Sequence, residues 1–245
     1  MSYYFKTTNY KDVLFPTVDA TYVIHLKENG RYKNVKKQLK KYSLTNKVHI
    51  LVNKGYKKCI KPNIDSPAKD LIDAYMYCFT HAKQYNTIMI LEDDFIIDPT
   101  INQHTDNINN FVKSHKDFIY RLGCIPAIMI PYDKYNYIGL SGGTHAIMYS
   151  LSLRNELLNK KDEIYNCDYD LYLNRLTNYI YYKPVIYQLF PTTESQENWG
   201  KFNIFAKKFA FIIIKMIQLF KLDKQINPGY NFFYFISKFT WILLF

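Results

Sequence analysis

Four apolar residues, Ile88-Met89-Ile90-Leu91, run straight into three carboxylates, Glu92-Asp93-Asp94. Such a run reads as a buried strand that has to end where its acids begin, because clustered ionised side chains cannot continue into a core. The chain before it alternates in the same style. Thr21 to Leu26 reads as a strand and Arg31 to Tyr42 as a basic helix. Val48 to Asn53 reads as a second strand, and Pro67 to Gln84 as a helix with Ser66 as its N-cap. That order is the signature of βαβ units, and 245 residues are enough for one good-sized domain. In open α/β sheets ligands bind outside the carboxyl ends of the strands, which puts the three acids where a ligand would dock.

The pattern continues with a helix over Thr105 to Ser114, a strand around Ala127 to Ile130, and a glycine-containing turn feeding a strand across Gly139 to Ser150. Leu151 to Lys160 and Leu171 to Leu176 read as helices, and Lys183 to Leu189 as extended chain. Beyond Trp199 the character changes. Phe202, Phe205, Phe209, Ile213, Met216 and Phe220 form one helical stripe, with Lys207, Lys208, Lys215 and Lys221 largely off it. A second apolar stretch, Phe232 to Phe245, follows the breaker Asn227-Pro228-Gly229 and is shorter than the ~20 residues that cross a bilayer.

Charge sharpens this division. The chain carries a formal net charge of +11, and residues 201–245 hold seven lysines against the single Asp223. Because these lysines are interleaved with Phe, Ile and Leu, they point to an anionic membrane surface and not to a nucleic-acid groove. The expected organisation is a catalytic domain over 1–200 and an amphipathic, basic and aromatic membrane-associating segment over 201–245. A terminal helix pair packed on the core is the alternative. Cys59, Cys78, Cys124 and Cys167 form no C-x-x-C pair and have no histidine spaced to complete a zinc site, so they read as reduced thiols. With no apolar leader at the N-terminus, the expected location is cytoplasmic and peripheral to a membrane.

Clustered carboxylates repel one another unless a cation or a proton intervenes. Magnesium or manganese, held by one or two of them together with substrate phosphates, would supply that relief. The strand-plus-acids unit resembles the D-x-D-type motif of nucleotide-sugar glycosyltransferases. Three further stretches resemble glycosyltransferase family 25, the lipopolysaccharide and collagen-type sugar transferases and related large-virus proteins. They are Tyr22-Val23-Ile24-His25-Leu26, Gly143-Thr144-His145-Ala146-Ile147-Met148-Tyr149-Ser150 and Tyr187-Gln188-Leu189-Phe190-Pro191-Thr192-Thr193-Glu194. The resemblance covers roughly residues 20 to 200.

It implies an α/β fold, a single Rossmann-like A-fold domain with a mixed central sheet, moving a hexose from a nucleotide diphosphate sugar to a glycan or lipid-linked acceptor. Within it Glu92 and Asp94 would hold the metal and the donor ribose, Asp94 as the firmer ligand, with Asp93 facing the nucleotide or supporting the turn. Arg31 matches a basic position near the nucleotide, and Asp70 could reach the donor from its helix. His145, the last histidine in the chain, is the candidate third ligand or donor-side residue. An inverting transfer needs a general base, for which Asp170 and Asp168 are the candidates. The acid four residues before Asn174 selects Asp170. Gln188 and Glu194 are acceptor-side or structural residues, and Thr193 to Gln196 fits a capping box. The competing readings are a metal-dependent phosphotransferase or nuclease using the same acids, and a non-catalytic membrane-binding adaptor.

Overall fold

In the computed structural model of the chain, residues 2–190, 204–225 and 227–243 are described. Among them a nine-stranded mixed sheet runs in the order β1-β3-β2-β4-β9-β6-β10-β8-β7. Its core is the run of strands read from sequence. β2 (Ala20–Leu26), β3 (Lys47–Asn53) and β4 (Thr87–Glu92) are parallel neighbours, with Val23 opposite both Ile50 and Leu91. Their residues are buried almost without a break, as strands covered on both faces must be.

The helices between them supply the cover. α1 (Tyr32–Lys41) turns Val35 and Leu39 inward and leaves its lysines out. α2 (Pro67–His81) starts at Ser66, whose hydroxyl accepts from the Lys69 amide at 3.3 Å, with Pro67 in the first turn. With α3 (Thr105–Ser114) on the α1 side, Val35, Leu39, Ile108 and Phe111 pack against one face of the strands. On the opposite face, residues of α2 pack with α4 (Leu151–Asn159), α5 (Lys161–Ile164) and α6 (Tyr169–Leu173).

Beyond β4 the sheet becomes mixed. β9 (Ala146–Ser150) lies antiparallel to β4, and β6 (Ile119–Arg121) antiparallel to β9. The hairpin of β7 (Ile125–Pro131) and β8 (Asn136–Gly142) closes that end through β10 (Asn178–Tyr181). At the other edge β1 (Tyr3–Asn9) pairs antiparallel with β3. A separate ribbon joins β5 (Phe95–Ile97) to β11 (Ile186–Gln188), so the chain just after the three acids is tied to the Tyr187-Gln188 stretch.

The tail is helical, with α7 over Ile204–Leu219 and α8 over Pro228–Thr240. α8 lies on β7. Ser237 Oγ donates to Pro126 O at 2.6 Å, Thr240 Oγ1 donates to Ala127 O at 2.9 Å, and Tyr234 is buried against Cys124, Met129 and Ile180. The segment expected to associate with a membrane therefore has an inner face packed on the central sheet. Its outer face, with Phe235 and Phe239, is exposed. No described helix is long and apolar enough to cross a membrane. Glu194, the Thr193 to Gln196 capping box and Phe202 lie outside the described residues, as do the side chains of Phe205, Lys207, Lys208, Phe209 and Ile213.

The packing of α8 makes a stability prediction. Tyr234→Ala is expected to cost about 3 kcal/mol, the cost of emptying a buried aromatic site. Urea unfolding of the full chain measures it. A change below about 0.5 kcal/mol, typical of a surface position, would mean that α8 does not pack on the sheet.

Candidate active site

A cavity of about 830 Å³ opens at the carboxyl ends of β2, β3 and β4. One wall carries the acids and a basic rim made by Arg31, Lys27, Lys54, Lys57 and Lys58. The other wall carries Gly142, Gly143, Thr144 and Asp170, and the apolar side chains Met216, Ile217, Leu222 and Phe233 of the C-terminal segment close it. A pocket of this size suits a nucleotide-sized ligand.

Side chains alternate at a strand end, so the three acids take different places. Asp93 turns back towards β2 and is saturated. Its Oδ2 lies 2.8 Å from His25 Nδ1 and accepts from Leu26 N at 3.0 Å and Asn29 Nδ2 at 2.6 Å, while Oδ1 accepts from Arg31 at 2.8 Å. Burial works against ionising it, but the bond from His25, the Arg31 charge and Asn29 outweigh that cost and hold its carboxyl below the usual range. With its oxygens so occupied, Asp93 supports the turn.

Glu92 and Asp94 face the cavity with fewer partners. Glu92 Oε1 accepts from Thr144 Oγ1 and lies 3.3 Å from the Tyr75 hydroxyl. Asp94 Oδ2 accepts from Gln188 Nε2 at 3.0 Å and from Arg31 at 3.3 Å, and its Oδ1 is buried without a hydrogen-bond partner. Burial raises both carboxyls above the ordinary range. For Glu92 the Asp94 charge adds to burial, and for Asp94 the Arg31 charge partly offsets it. A pair of hard oxygen donors in want of positive charge, one with a free acceptor atom, fits a single divalent cation that takes its other ligands from phosphate and water. Among the described residues no three His, Cys, Asp or Glu side chains are grouped to hold a metal ion.

Asp170 sits in the first turn of α6, across the cavity from the basic rim. Its Oδ2 accepts from Gly143 N at 3.0 Å, while Oδ1 is buried and lacks a hydrogen-bond partner. Burial raises its carboxyl, opposed by the Arg121 charge and the Gly143 bond. Arg121 itself is fully buried, donates to Gly143 O at 2.8 Å and to Asn178 Oδ1 at 3.1 Å, and lies 3.8 Å from Asp170. Asn174 grips the same loop through Ser141 N at 3.2 Å and Ser141 O at 3.0 Å. Gly143 adopts φ +90, and a side chain there would press on the His145 ring at 3.1 Å. The Asp170 and Asn174 pair read from sequence thus clamps the glycine turn beside the acids. Asp168 does not reach the cavity: it caps α6, accepting from Leu171 N at 3.1 Å.

Two other candidates differ in their surroundings, Asp70 being well partnered while both ring nitrogens of His145 are buried without a hydrogen-bond partner. Asp70 lines the cavity but is bonded to buried Lys61 and, at 3.0 Å, to Asn53 Nδ2. His145 lies behind the glycine turn, fully buried and apart from the cavity lining. Burial and the Arg121 charge lower its pKa to about 3, so the ring is neutral. Sequence reasoning gave no role to Arg121, Tyr75 or Asn29, and Thr144 entered it only as part of the resembling stretch. Arg121 left a signal of its own, a lone charge inside the apolar run Phe118 to Leu122.

No family model matches the chain, so the resemblance to family 25 does not become membership, and no curated protein matches it. Solved structures give distant likenesses. The crystal structure of A197 from STIV has a TM-score of 0.46 at 12% identity, covering 72% of this chain and 87% of that one. A glycosyltransferase involved in glycosylation of the major capsid of PBCV-1 has a TM-score of 0.36 at 11% identity, covering 60% of this chain and 68% of that one.

The buried neutral His145 has a consequence for stability. Its pKa is depressed from 6.5 to about 3 on folding, so the stability it permits is complete above 6.5 and is lost as pH falls towards 3, where the unfolded chain takes up the proton first. Between pH 7 and pH 5 the full chain should lose about 2 kcal/mol more than His145→Gln does. Urea titrations at the two pH values measure this difference, and equal losses would contradict a neutral buried ring.

Proposed function

We propose that this chain is a cation-assisted glycosyltransferase that moves a hexose from a nucleotide diphosphate sugar to an acceptor hydroxyl. The observation that carries the reading is the cavity itself, with Glu92, Asp94 and a basic rim on one wall and the Asp170 carboxylate on the other. The first wall suits a diphosphate and the second a hydroxyl that must lose its proton.

The donor diphosphate lies along the rim, where Arg31 and the lysines offset its charge. A divalent cation held by Glu92 and Asp94 would neutralise charge on the departing diphosphate when bound. The Asp170 carboxylate takes the acceptor proton as the acceptor oxygen bonds to the anomeric carbon. The bond from that carbon to the diphosphate oxygen breaks, and the diphosphate leaves with the electron pair. Attack from the face opposite the leaving group inverts the anomeric centre, and no covalent enzyme intermediate is needed. The upward displacement of Asp170 makes it a stronger base than an exposed aspartate. Gly143, Asn174 and Arg121 fix its position.

Two substitutions test the roles separately. Asp94→Asn is expected to abolish the thermal stabilisation that a nucleotide sugar gives in the presence of Mn²⁺, while the protein alone melts no lower, because a charge has left a crowded acidic cluster. A panel of nucleotide sugars scored by melting temperature makes that measurement. If the stabilised donor is still bound equally well by the variant, the cation is not held there. Asp170→Asn should keep donor binding and lower turnover by about 10² to 10⁴. Unchanged turnover in that variant, or the same loss in Asp168→Asn, would remove Asp170 from the role of base.

A further inference from the structure

The two C-terminal helices have opposed faces. Ile217 on α7 and Tyr234 on α8 are 5% and 2% exposed, whereas Leu219 and Phe235 are 74% and 63% exposed. Phe211, Ile212, Phe239 and Ile242 are also more than half exposed. Phe220 stacks on Phe232 with ring centroids 4.7 Å apart and meets Phe233 at 4.9 Å, which ties the two helices together. So much apolar surface on one element pair marks an interaction site.

We infer that the outer face of α7 and α8 is a docking surface for an anionic lipid bilayer. The charge around it selects this occupant. Lys215 on α7 and Lys221 and Lys224 in the turn between the helices are exposed, and Asp223 is the only acid in residues 201–245. Lys238 is turned inward over the Tyr137 and Tyr182 rings at 5.2 and 5.6 Å and does not belong to the set. A second copy of the chain seated there by two-fold symmetry would bring like-charged lysines together. An anionic headgroup layer meets them with opposite charge while the phenyl and aliphatic groups enter the acyl boundary.

Helix length fixes the geometry. At 16 and 13 residues α7 and α8 are short of the ~20 needed to span, so they lie in the plane of the interface. The same helices and the turn between them wall the cavity through Met216, Ile217, Leu222 and Phe233, so docking sets the cavity beside the membrane surface.

The test uses the full chain and vesicles made of one part phosphatidylglycerol to two parts phosphatidylcholine. It reads sedimentation with the vesicles and needs neither donor nor acceptor, so its outcome is separate from that of the transferase reading. The chain should bind these vesicles and leave them in part as salt rises, because the apolar contact is not screened. Leu219→Glu with Phe235→Glu should weaken binding by at least about tenfold, since each places a charge at the acyl boundary. Lys215→Gln, Lys221→Gln and Lys224→Gln combined should weaken it by about fivefold per lysine, and this second variant keeps the test open if the first fails to fold. Three results would overturn the inference. They are no binding of the full chain, binding undiminished in both variants, and a dimer that Leu219→Glu with Phe235→Glu dissolves while vesicles remain unbound.

Discussion

Everything around the cavity hangs on the carboxylate of Asp93. An ionised group at this depth is costly unless each lone pair finds a donor. Here β2 contributes His25 and the Leu26 amide, and the turn after it contributes Asn29 and Arg31. One side chain therefore closes the loop between β2 and α1 onto the end of β4. Because Arg31 also touches Asp94, the same contact sets the charge beside the carboxylate that faces the cavity. Removing Asp93 would leave the Leu26 amide and the Asn29 side chain without this acceptor and Arg31 with Asp94 alone, and the entrance to α1 without its anchor.

The second wall is built on a similar principle with different groups. Gly143 has both backbone groups engaged, its N–H by Asp170 and its carbonyl by Arg121, and Asn174 holds Ser141 two residues earlier. The turn is thus fixed by three polar side chains that come from α6, from the residue that follows it and from β6. Such a clamp keeps the Asp170 carboxylate in place, with one oxygen on the Gly143 amide and the other facing the Arg121 charge at 3.8 Å.

The β2, β3 and β4 strands were legible because buried parallel strands are apolar on both faces. β1 escaped notice because an edge strand can carry Lys6, Thr7 and Thr8 on exposed positions and shows no apolar run. β6 and β10 are too short, at 3 and 4 residues, to show a period at all. The clamp around Gly143 was half legible. Asp170 and Asn174 lie one helical turn apart and announce a shared face, but Arg121 comes from a distant strand and only the fold brings it near. In the tail, a helical wheel ranks residues by apolarity and cannot say what covers them. Tyr230, Tyr234 and Ser237 bury themselves on the sheet side because their hydroxyls find partners there, at Gln188, Cys124 and Pro126.

The contact between Tyr230 and Gln188 reaches further than packing. The Tyr230 hydroxyl donates to Gln188 O at 2.7 Å and accepts from Gln188 N at 3.1 Å, and Gln188 in turn holds Asp94 by its side chain. Asn227, at the start of the same helix, bonds to Asp98 just past β5. During synthesis β4 leaves the ribosome well before α8, so Tyr230, which braces Gln188 beside Asp94, is the last of these groups to emerge. A growing chain would then carry Gln188 without that brace until α8 is made, which ties the readiness of the cavity to the order in which the polypeptide is made.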